Sequence, residues 1–194
     1  MGGPGRPRSP LVDRAILQAA LDVLGECGPS ALTIEGVACR AGVGKATVYR
    51  RWDGKEDLIL DALATLNQDI PEPVGDSVHK DLVTLVSATL RRMTESVDGA
   101  VFARLLGEVD QHREMVAMYH ESVVRPRRAR LRAVLDRGIA DGTLRPDTDV
   151  EVVLHMIIGG LLHTVSMCRL HRRPIPDDLV DRLVDTALRG VTAT

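Results

Sequence analysis

Basic side chains crowd into a short stretch of the chain between residues 40 and 55, where Asp53 is the one acid. They are Arg40, Lys45, Arg50, Arg51 and Lys55. Lysine and arginine donate hydrogen bonds to phosphate oxygens and to guanine edges, so a local cluster of them is typical of a surface that binds nucleic acid. The overall charge gives no such signal, because residues 1–57 hold 8 Lys+Arg against 7 Asp+Glu and the whole chain has a formal net charge of -2.

The residues around these cations predict two short helices joined by a tight turn. Thr33 can cap the first helix, and Gly42 can adopt the left-handed conformation that such a turn needs. Small and apolar residues that could hold the two helices at a set angle follow at suitable spacing: Val37, Ala38, Val43, Val48 and Trp52. This arrangement, a helix-turn-helix, presents its second helix to the major groove of DNA.

The second helix of the pair, predicted from Gly44 to Arg51, supplies most of the candidate DNA contacts, and Arg51 is expected to be exposed with them. Lys45 and Arg50 could bond guanine edges or phosphates, and Tyr49 could donate its hydroxyl to a phosphate. The full set of candidate DNA-binding residues is Thr33, Gly44, Lys45, Thr47, Tyr49, Arg50 and Lys55.

Two other interpretations of this stretch compete with DNA binding. Gly44-Lys45 also occurs in phosphate-binding loops, but that motif needs Gly at position 39 and Ser or Thr at position 46, where this chain has Cys39 and Ala46. The second alternative is a helical corner whose basic face is simply solvated.

The rest of the chain also predicts helices. Apolar residues recur at helical spacing, no alternating strand pattern appears, and about nine helices are expected. We expect capping boxes at residues 53–56 and 148–151, and helix breaks at Asp98-Gly99 and at Pro126. Residues 1–9 predict a flexible basic arm that is either solvated or in contact with DNA.

The predicted helix from Asp149 to about Leu170 is apolar nearly all round, so it must be buried on more than one side. Residues 152–168 contain no Asp, Glu, Lys or Arg, but this run is short for a membrane span. Burial against its own domain and against a second copy of the chain would satisfy the pattern, with Gly159-Gly160 allowing a close approach. A monomer with a central buried helix is the alternative.

Several segments closely resemble the DNA-binding segment of the TetR family, the tetracycline-repressor-like transcriptional regulators. They are Thr33-Ile34, Val37-Ala38, Ala41-Gly42-Val43 and Lys45-Ala46-Thr47-Val48-Tyr49, with Trp52, Lys55 and Leu58. The resemblance implies a homodimer held by the last two helices, a small-molecule pocket in each C-terminal domain, and binding to palindromic operators. Gly44 departs from the family pattern, because many members carry Ser there.

Candidate residues for that pocket are Phe102, Leu105, Val109, Met118, His155 and Met156. Methionine suits adaptable pockets, although a methionine at helical spacing is also ordinary core. Three pairs of histidines lie eight residues apart, which is too far for two residues of one helix to share a metal ion, and the sequence shows no cofactor motif. The spacing of the three cysteines, Cys27, Cys39 and Cys168, fits neither a metal site nor a disulfide framework, so buried thiols in a reducing cytosol are expected.

The sequence thus predicts an all-α, cytoplasmic, ligand-responsive DNA-binding regulator, more specifically a repressor, and not an enzyme. Residues 1–57 are expected to form a three-helix helix-turn-helix domain, and residues 58–194 a ligand-binding and dimerisation domain. The alternatives are a helical adaptor that binds only protein and a small helical enzyme without a role on DNA.

Overall fold

The structure, a computed structural model, describes residues 9–68 and 70–192. In this part of the chain, helices are joined by turns and irregular segments, and the β-structure is limited to one isolated bridge between Leu144 and Thr192. Its helices are α1 (Pro10–Cys27), α2 (Ile34–Arg40), α3 (Lys45–Tyr49), α4 (Lys55–Thr65), α5 (Val78–Glu95), α6 (Val97–Gly107), α7 (Arg113–Tyr119), α8 (Arg125–Ala140), α9 (Val150–Leu170) and α10 (Leu179–Arg189). A 3₁₀ turn covers Pro29–Ala31, and a π turn, His120–Val124, joins α7 to α8 without a break. The predicted all-α class is confirmed, and because α7 and α8 are continuous, the described residues form nine separate helical segments. The expected basic arm falls on residues that lie almost entirely outside the described ones.

Helix starts depend on which side chain reaches the free N–H groups of the first turn. The Thr33 hydroxyl accepts from the backbone N–H three residues further on at 3.0 Å, so the predicted cap of α2 is confirmed. The capping box expected at residues 148–151 is wrong, because Asp149 caps α9 instead. The box expected at residues 53–56 is also wrong, because the residue that precedes α4 is Gly54, which has no side chain to act as a cap.

The two expected helix breaks are displaced. Asp98 and Gly99 lie inside the first turn of α6, and the break falls just before that helix. Gly99 serves a close approach instead, since a Cβ at this position would lie 2.0 Å from the Met93 carbonyl oxygen. Pro126 is the second residue of α8, directly after the π turn, so the helical path continues through it and does not end there.

The described residues fall into two compact units. The first contains residues 9–68 and 92–124, where α1 packs against α2, α4 and α6 around one hydrophobic core. Its most buried members include Ile16, Leu24, Leu58, Leu63 and Val101. The domain boundary expected between residues 57 and 58 lies inside α4, and all of α4 belongs to the first unit. The division into a DNA-binding domain and a ligand-binding domain stays a prediction.

The second unit contains residues 70–91 and 125–192, where α9 packs against α8 and α10. Asp81 of α5 is 1% exposed and accepts hydrogen bonds from the backbone N–H groups of Val74 (3.0 Å) and Gly75 (3.1 Å) and from Arg137 of α8. These donors compensate for the burial of the carboxylate charge. Asp81 therefore fastens both α8 and the segment that precedes α5.

One face of α9 is buried, and the opposite face is apolar although it is exposed. The exposed stripe consists of Val152, Met156, Gly159, His163, Met167 and Leu170. A Cβ at Gly160 would lie 2.7 Å from Leu183 Cδ2 of α10, whereas a Cβ at Gly159 would meet nothing within 4 Å. Of the expected glycine pair, Gly160 therefore serves packing within the chain and Gly159 faces outward. By length and composition α9 could cross a membrane, but a core helix of a soluble protein passes the same test.

The three cysteines differ from expectation. Cys27 and Cys39 are exposed and Cys168 is half-buried, so the expectation of three buried thiols is wrong. Cys27 ends α1 and Cys39 lies near the end of α2, and both fall outside the buried stripes of their helices. Within the described residues, no group of three or more His, Cys, Asp or Glu side chains could hold a metal ion.

Candidate nucleic-acid interface

The turn between α2 and α3 closes through two backbone hydrogen bonds at the end of α2. Val43 N donates to Ala38 O at 3.0 Å, and Gly42 N donates to Cys39 O at 3.1 Å. This Schellman pattern needs a residue in the left-handed region, and Gly42 supplies it with φ of 67°. The turn predicted from the sequence is confirmed, and it fixes the path of the chain into α3.

Buried side chains hold α2 and α3 in place. Val37 and Val48 are 0% exposed, and Ala38 is also buried. Trp52, directly after α3, is buried as well, and its Nε1 donates to Asp61 Oδ2 at 2.9 Å. Trp52 therefore packs inside the first unit, as expected, and does not present its ring for stacking on a base.

The opposite side of α3 faces solvent. Lys45, Ala46, Tyr49 and Arg50 are exposed, and Thr47 is half-buried. Gly44, just before the helix, is exposed too. The predicted contact residues of this helix thus share one accessible surface, on an element whose orientation is set by the buried side chains.

Most of the basic side chains near α3 are engaged within the protein. Lys45 pairs with Glu35 of α2, and its ammonium lies 5.6 Å from the centroid of the Tyr49 ring. The hydrogen bond from Lys45 lowers the pKa of Glu35, and the same bond raises the pKa of Lys45, so both groups are charged at neutral pH. Lys55 donates to the Pro29 carbonyl oxygen at 2.9 Å, which ties the start of α4 to the 3₁₀ turn.

Two arginines fasten the helix-turn-helix to α1. Arg40 of α2 binds both carboxylate oxygens of Glu26, at 2.7 and 2.5 Å. Arg51 pairs with Asp13, donates to the Thr47 carbonyl oxygen at 3.0 Å, and has a side chain that is only 12% exposed. The expectation that Arg51 is exposed beside the DNA contacts is therefore wrong, because its guanidinium is used to hold α3 against α1.

Arg50 differs from its neighbours. Its guanidinium donates to Thr47 Oγ1 at 3.2 Å, and no carboxylate among the described residues pairs with it. The cluster is thus less positive than a count of basic residues suggests. Each of the three paired cations has its acid far away along the chain: 38 residues for Arg51, 14 for Arg40 and 10 for Lys45. At these separations the sequence does not indicate which charges pair.

The candidate ligand-binding residues divide between the two units. Four belong to the first unit and two to the second. Those of the first unit are Phe102, Leu105, Val109 and Met118. Leu105 is buried, whereas Val109 is exposed. His155 and Met156 are exposed on α9, and His155 Nδ1 lies 2.7 Å from the Glu151 carbonyl oxygen.

A buried polar pair that sequence reasoning missed lies next to the first group. Asp98 is 2% exposed, and its Oδ1 accepts from the Tyr119 hydroxyl at 2.8 Å. The Tyr119 ring lies 6.1 Å from the ring of Phe102, centroid to centroid. Hydrogen-bonding groups set among apolar side chains are the usual composition of a small-molecule site. The two partners are 21 residues apart, so no local sequence pattern indicates them.

A separate groove of about 410 Å³ runs along α1 and α6 in the first unit. It is lined by Gly25, Ala100, Ala103, Arg104, Gly107 and Glu108. None of the candidate ligand-binding residues is among them. The groove therefore does not correspond to the predicted pocket.

A serine, a histidine and a glutamate also meet in the first unit. Ser30 Oγ lies 2.9 Å from His112 Nε2, and Glu108 Oε2 lies 3.5 Å from the same nitrogen. A hydrolytic triad needs its carboxylate on the other ring nitrogen, where it orients the base. This cluster therefore does not have the geometry of an activated nucleophile, and it gives no support to the enzyme alternative.

Two family models match the chain. Residues 16–62 match the model of bacterial regulatory proteins of the tetR family, and residues 72–187 match the tetracyclin repressor-like C-terminal domain. Together they span both the helix-turn-helix and most of the remaining helices.

Individual relatives agree with these models. YdeS, an uncharacterized HTH-type transcriptional regulator of Bacillus subtilis (strain 168), is 35% identical over 98% of this chain and 94% of its own length. The DNA-binding transcriptional repressor TetR of Mycobacteroides abscessus is 26% identical over 90% of each chain. The crystal structure of one TetR family transcription regulator aligns with a TM-score of 0.69 and 28% identity, over 94% of this chain and 99% of that one. The chain therefore belongs to the TetR family of DNA-binding transcriptional regulators, with α2 and α3 as its helix-turn-helix.

Proposed function

We propose that the chain is a repressor that binds a palindromic operator as a homodimer and leaves it when a small molecule binds. The observation that carries this proposal is the exposed face of α3, held at a set angle by buried residues and by the Arg51 pair with α1. A helix presented in this way enters the major groove, and its first residues contact base edges. We assign these contacts to Lys45, Thr47, Tyr49 and Arg50, with Thr33, Gly44 and Lys55 on the flanking backbone.

The exposed apolar stripe of α9 supports the homodimer. Soluble monomers rarely leave a continuous apolar face open to water, and Gly159 at its middle would allow a second helix to approach closely. A twofold dimer brings two copies of α3 to the same DNA, about one helical turn apart, which requires an operator with matching symmetry. The repressor function of the M. abscessus relative supports the same sign of regulation here.

We place the ligand in the first unit, against Phe102, Leu105, Val109 and Met118. The other two candidates, His155 and Met156, are exposed on α9 in the second unit, and we assign Met156 to the dimer interface instead. The Asp98–Tyr119 pair lies next to Phe102 and would contribute the polar contact that orients an otherwise apolar molecule. Ligand binding releases DNA if it favours a conformation in which the two α3 helices no longer match the operator. Because the contacts are made on DNA, we propose that the protein acts in the cytoplasm.

The test is selection of bound fragments from genomic DNA, followed by binding measurements on the recovered operator at several salt concentrations. Lys45→Ala and Tyr49→Ala should each weaken binding about tenfold or more, and Lys45→Ala should also reduce the salt slope by about 0.9 for each phosphate that the variant no longer neutralises. Lys80→Ala removes an exposed lysine from α5 in the second unit and serves as the matched control. If the two variants bind like the wild type with an unchanged slope, the assigned interface is wrong.

The dimer is tested separately by Met156→Glu, which places a charge in the exposed stripe of α9. Sedimentation equilibrium should show a monomer, and operator affinity should fall with it. Leu106→Glu is the control, since Leu106 is an exposed apolar residue of α6 in the first unit. A Met156→Glu protein that remains dimeric and binds the operator normally would contradict the assigned interface.

A further inference from the structure

The Lys45–Glu35 pair lies on the surface that the proposed function gives to DNA. Lys45 begins α3, and Glu35 lies in the first turn of α2, two residues after the Thr33 cap. Both side chains are more than half exposed, at 53% and 58%. The pair therefore contributes little to holding the fold together, because water screens exposed charges.

The same ammonium cannot give its full charge to DNA while it is bonded to a carboxylate. Lys45 at the start of α3 and Arg50 directly after its end are both exposed cations, and Glu35 neutralises the first of them. Its carboxylate oxygen occupies a position that a phosphate oxygen or a guanine edge would take. It also adds a negative charge to a surface that must approach a polyanion.

We propose that Glu35 is an affinity-limiting residue that competes with DNA for the ammonium of Lys45. On the operator, Lys45 exchanges the Glu35 carboxylate for an acceptor on DNA, and the net gain from that exchange is reduced because the internal pair must break. This role rests on the proposed DNA interface and adds to it an acidic residue that weakens binding. It would keep the repressor readily released, whereas Lys45, Tyr49 and Arg50 are assigned to strengthen binding.

Both partners are ionised at neutral pH, as the opposite pKa displacements of Glu35 and Lys45 require. The competition is therefore present under ordinary cellular conditions and does not depend on a titration. Tyr49 presents the face of its ring to the same ammonium, with the ring centroid 5.6 Å away.

The test uses Glu35→Gln, which keeps the size of the side chain and removes its charge. Operator binding should tighten, and the slope of affinity against salt should steepen by about 0.9 per subunit, because Lys45 then displaces counterions fully. For the two subunits of a dimer, the ratio of variant to wild-type affinity should be about twelvefold larger at 50 mM salt than at 200 mM. Glu114→Gln, an equal charge change at an exposed position of α7, should show a much smaller effect.

A second pair of variants shows whether Glu35 acts through Lys45. In a Lys45→Gln background, Glu35→Gln should no longer steepen the salt slope. If Glu35→Gln still steepens the salt slope in that background, or if Glu114→Gln steepens it equally, the acids act only by general repulsion of DNA. Either result overturns the proposal. Weaker binding by Glu35→Gln, with circular dichroism and thermal unfolding unchanged, would overturn it as well, since Glu35 would then position Lys45 or contact a base.

Failure of the proposed function would look different. In that case the wild type itself would bind no recovered fragment, and none of the variants would bind DNA with a salt-dependent affinity. If the wild type binds the operator and Glu35→Gln has the same affinity and salt slope, the assigned interface stands and only the competition by Glu35 is excluded.

Discussion

The pair between Arg51 and Asp13 makes a sharp prediction, because it decides whether Arg51 binds DNA or holds α3 in place. The Arg51 side chain is 12% exposed and that of Asp13 is 32% exposed, so the pair is mostly shielded from water. Arg51 also donates to the Thr47 carbonyl oxygen, one turn back along α3. Asp13→Asn keeps the shape of the side chain and removes the charge that Arg51 faces.

The expected loss of stability lies between two limits. Removing one partner of a fully buried pair costs about 3–5 kcal/mol, and exposed pairs contribute about 0–1 kcal/mol. With one partner mostly buried and the other one-third exposed, we expect Asp13→Asn to lower the free energy of unfolding by about 1–3 kcal/mol. For a chain of this length that corresponds to a fall in Tm of roughly 2–12 °C.

The effect on DNA binding follows from the loosening of α3 against α1. Operator affinity should fall, but the salt slope should stay unchanged, because no phosphate contact is removed. Fluorescence anisotropy on the operator at four or more salt concentrations measures the affinity and the slope, and thermal unfolding measures the stability. Asp110→Asn changes the same charge at a position 89% exposed and should leave all three quantities near the wild type.

Arg50→Gln provides the opposite signature. Arg50 is exposed, so its loss should leave Tm nearly unchanged while lowering affinity and reducing the salt slope by about 0.9 per subunit if it contacts phosphate. Tighter operator binding by Asp13→Asn without loss of stability would contradict the role of Arg51 in holding α3. That result would mean that freeing Arg51 from Asp13 lets it reach DNA.

Three further predictions concern single positions. Gly44→Ser should raise stability by a few tenths of a kcal/mol and leave operator affinity equal or higher, since Gly44 has an extended backbone and open space for a capping side chain; weaker operator binding would contradict it. Asp81→Asn should lower Tm and reduce the free energy of unfolding by about 2–4 kcal/mol, because Arg137 and two backbone donors lose a buried carboxylate. A reduction below about 0.5 kcal/mol, measured by thermal unfolding, would exclude this role. The hydrogen bond from Arg40 lowers the pKa of Glu26 below its unfolded value, so the unfolded chain takes up the proton first and the stabilisation is lost as the pH falls through the lowered pKa. In urea unfolding at acidic pH, the free energy of unfolding of Glu26→Gln should therefore fall less steeply with decreasing pH than that of the wild type. Identical pH dependences would show that the Arg40–Glu26 pair does not stabilise the fold.

Local features of the helix-turn-helix could be predicted because their causes lie within a few residues. Thr33 caps α2 through a backbone group three residues away, and Gly42 is required by bonds that span six residues. The buried positions Val37 and Val48 follow from helical spacing. These constraints define the orientation of α3, and they are the part of the site that sequence reasoning described correctly.

Features that depend on tertiary contacts could not be predicted in the same way. Asp13 and Arg51 lie 38 residues apart, and nothing in the sequence around either residue distinguishes it from a solvated charged residue. The sequence places the start of α9 one residue too early, because Thr148 and Asp149 are both good caps and only the path of the preceding segment chooses between them. At Gly99, the requirement for glycine comes from the Met93 carbonyl oxygen, so a glycine expected to break a helix lies within one.

Two acids face cations in α3 or directly after it, and they show why burial matters more than the number of charges at this interface. Glu35 and Asp13 each remove one positive charge from the DNA-binding unit, so long-range electrostatics alone gives their neutral variants the same effect, tighter binding. The structure separates them, because the Lys45–Glu35 pair is open to water and the Arg51–Asp13 pair is largely closed. We expect that breaking the open pair frees a cation for DNA, whereas breaking the closed pair loosens the helix to which we assign most of the DNA contacts. We therefore expect Glu35→Gln and Asp13→Asn to change operator affinity in opposite directions, a difference of sign that no argument from net charge produces.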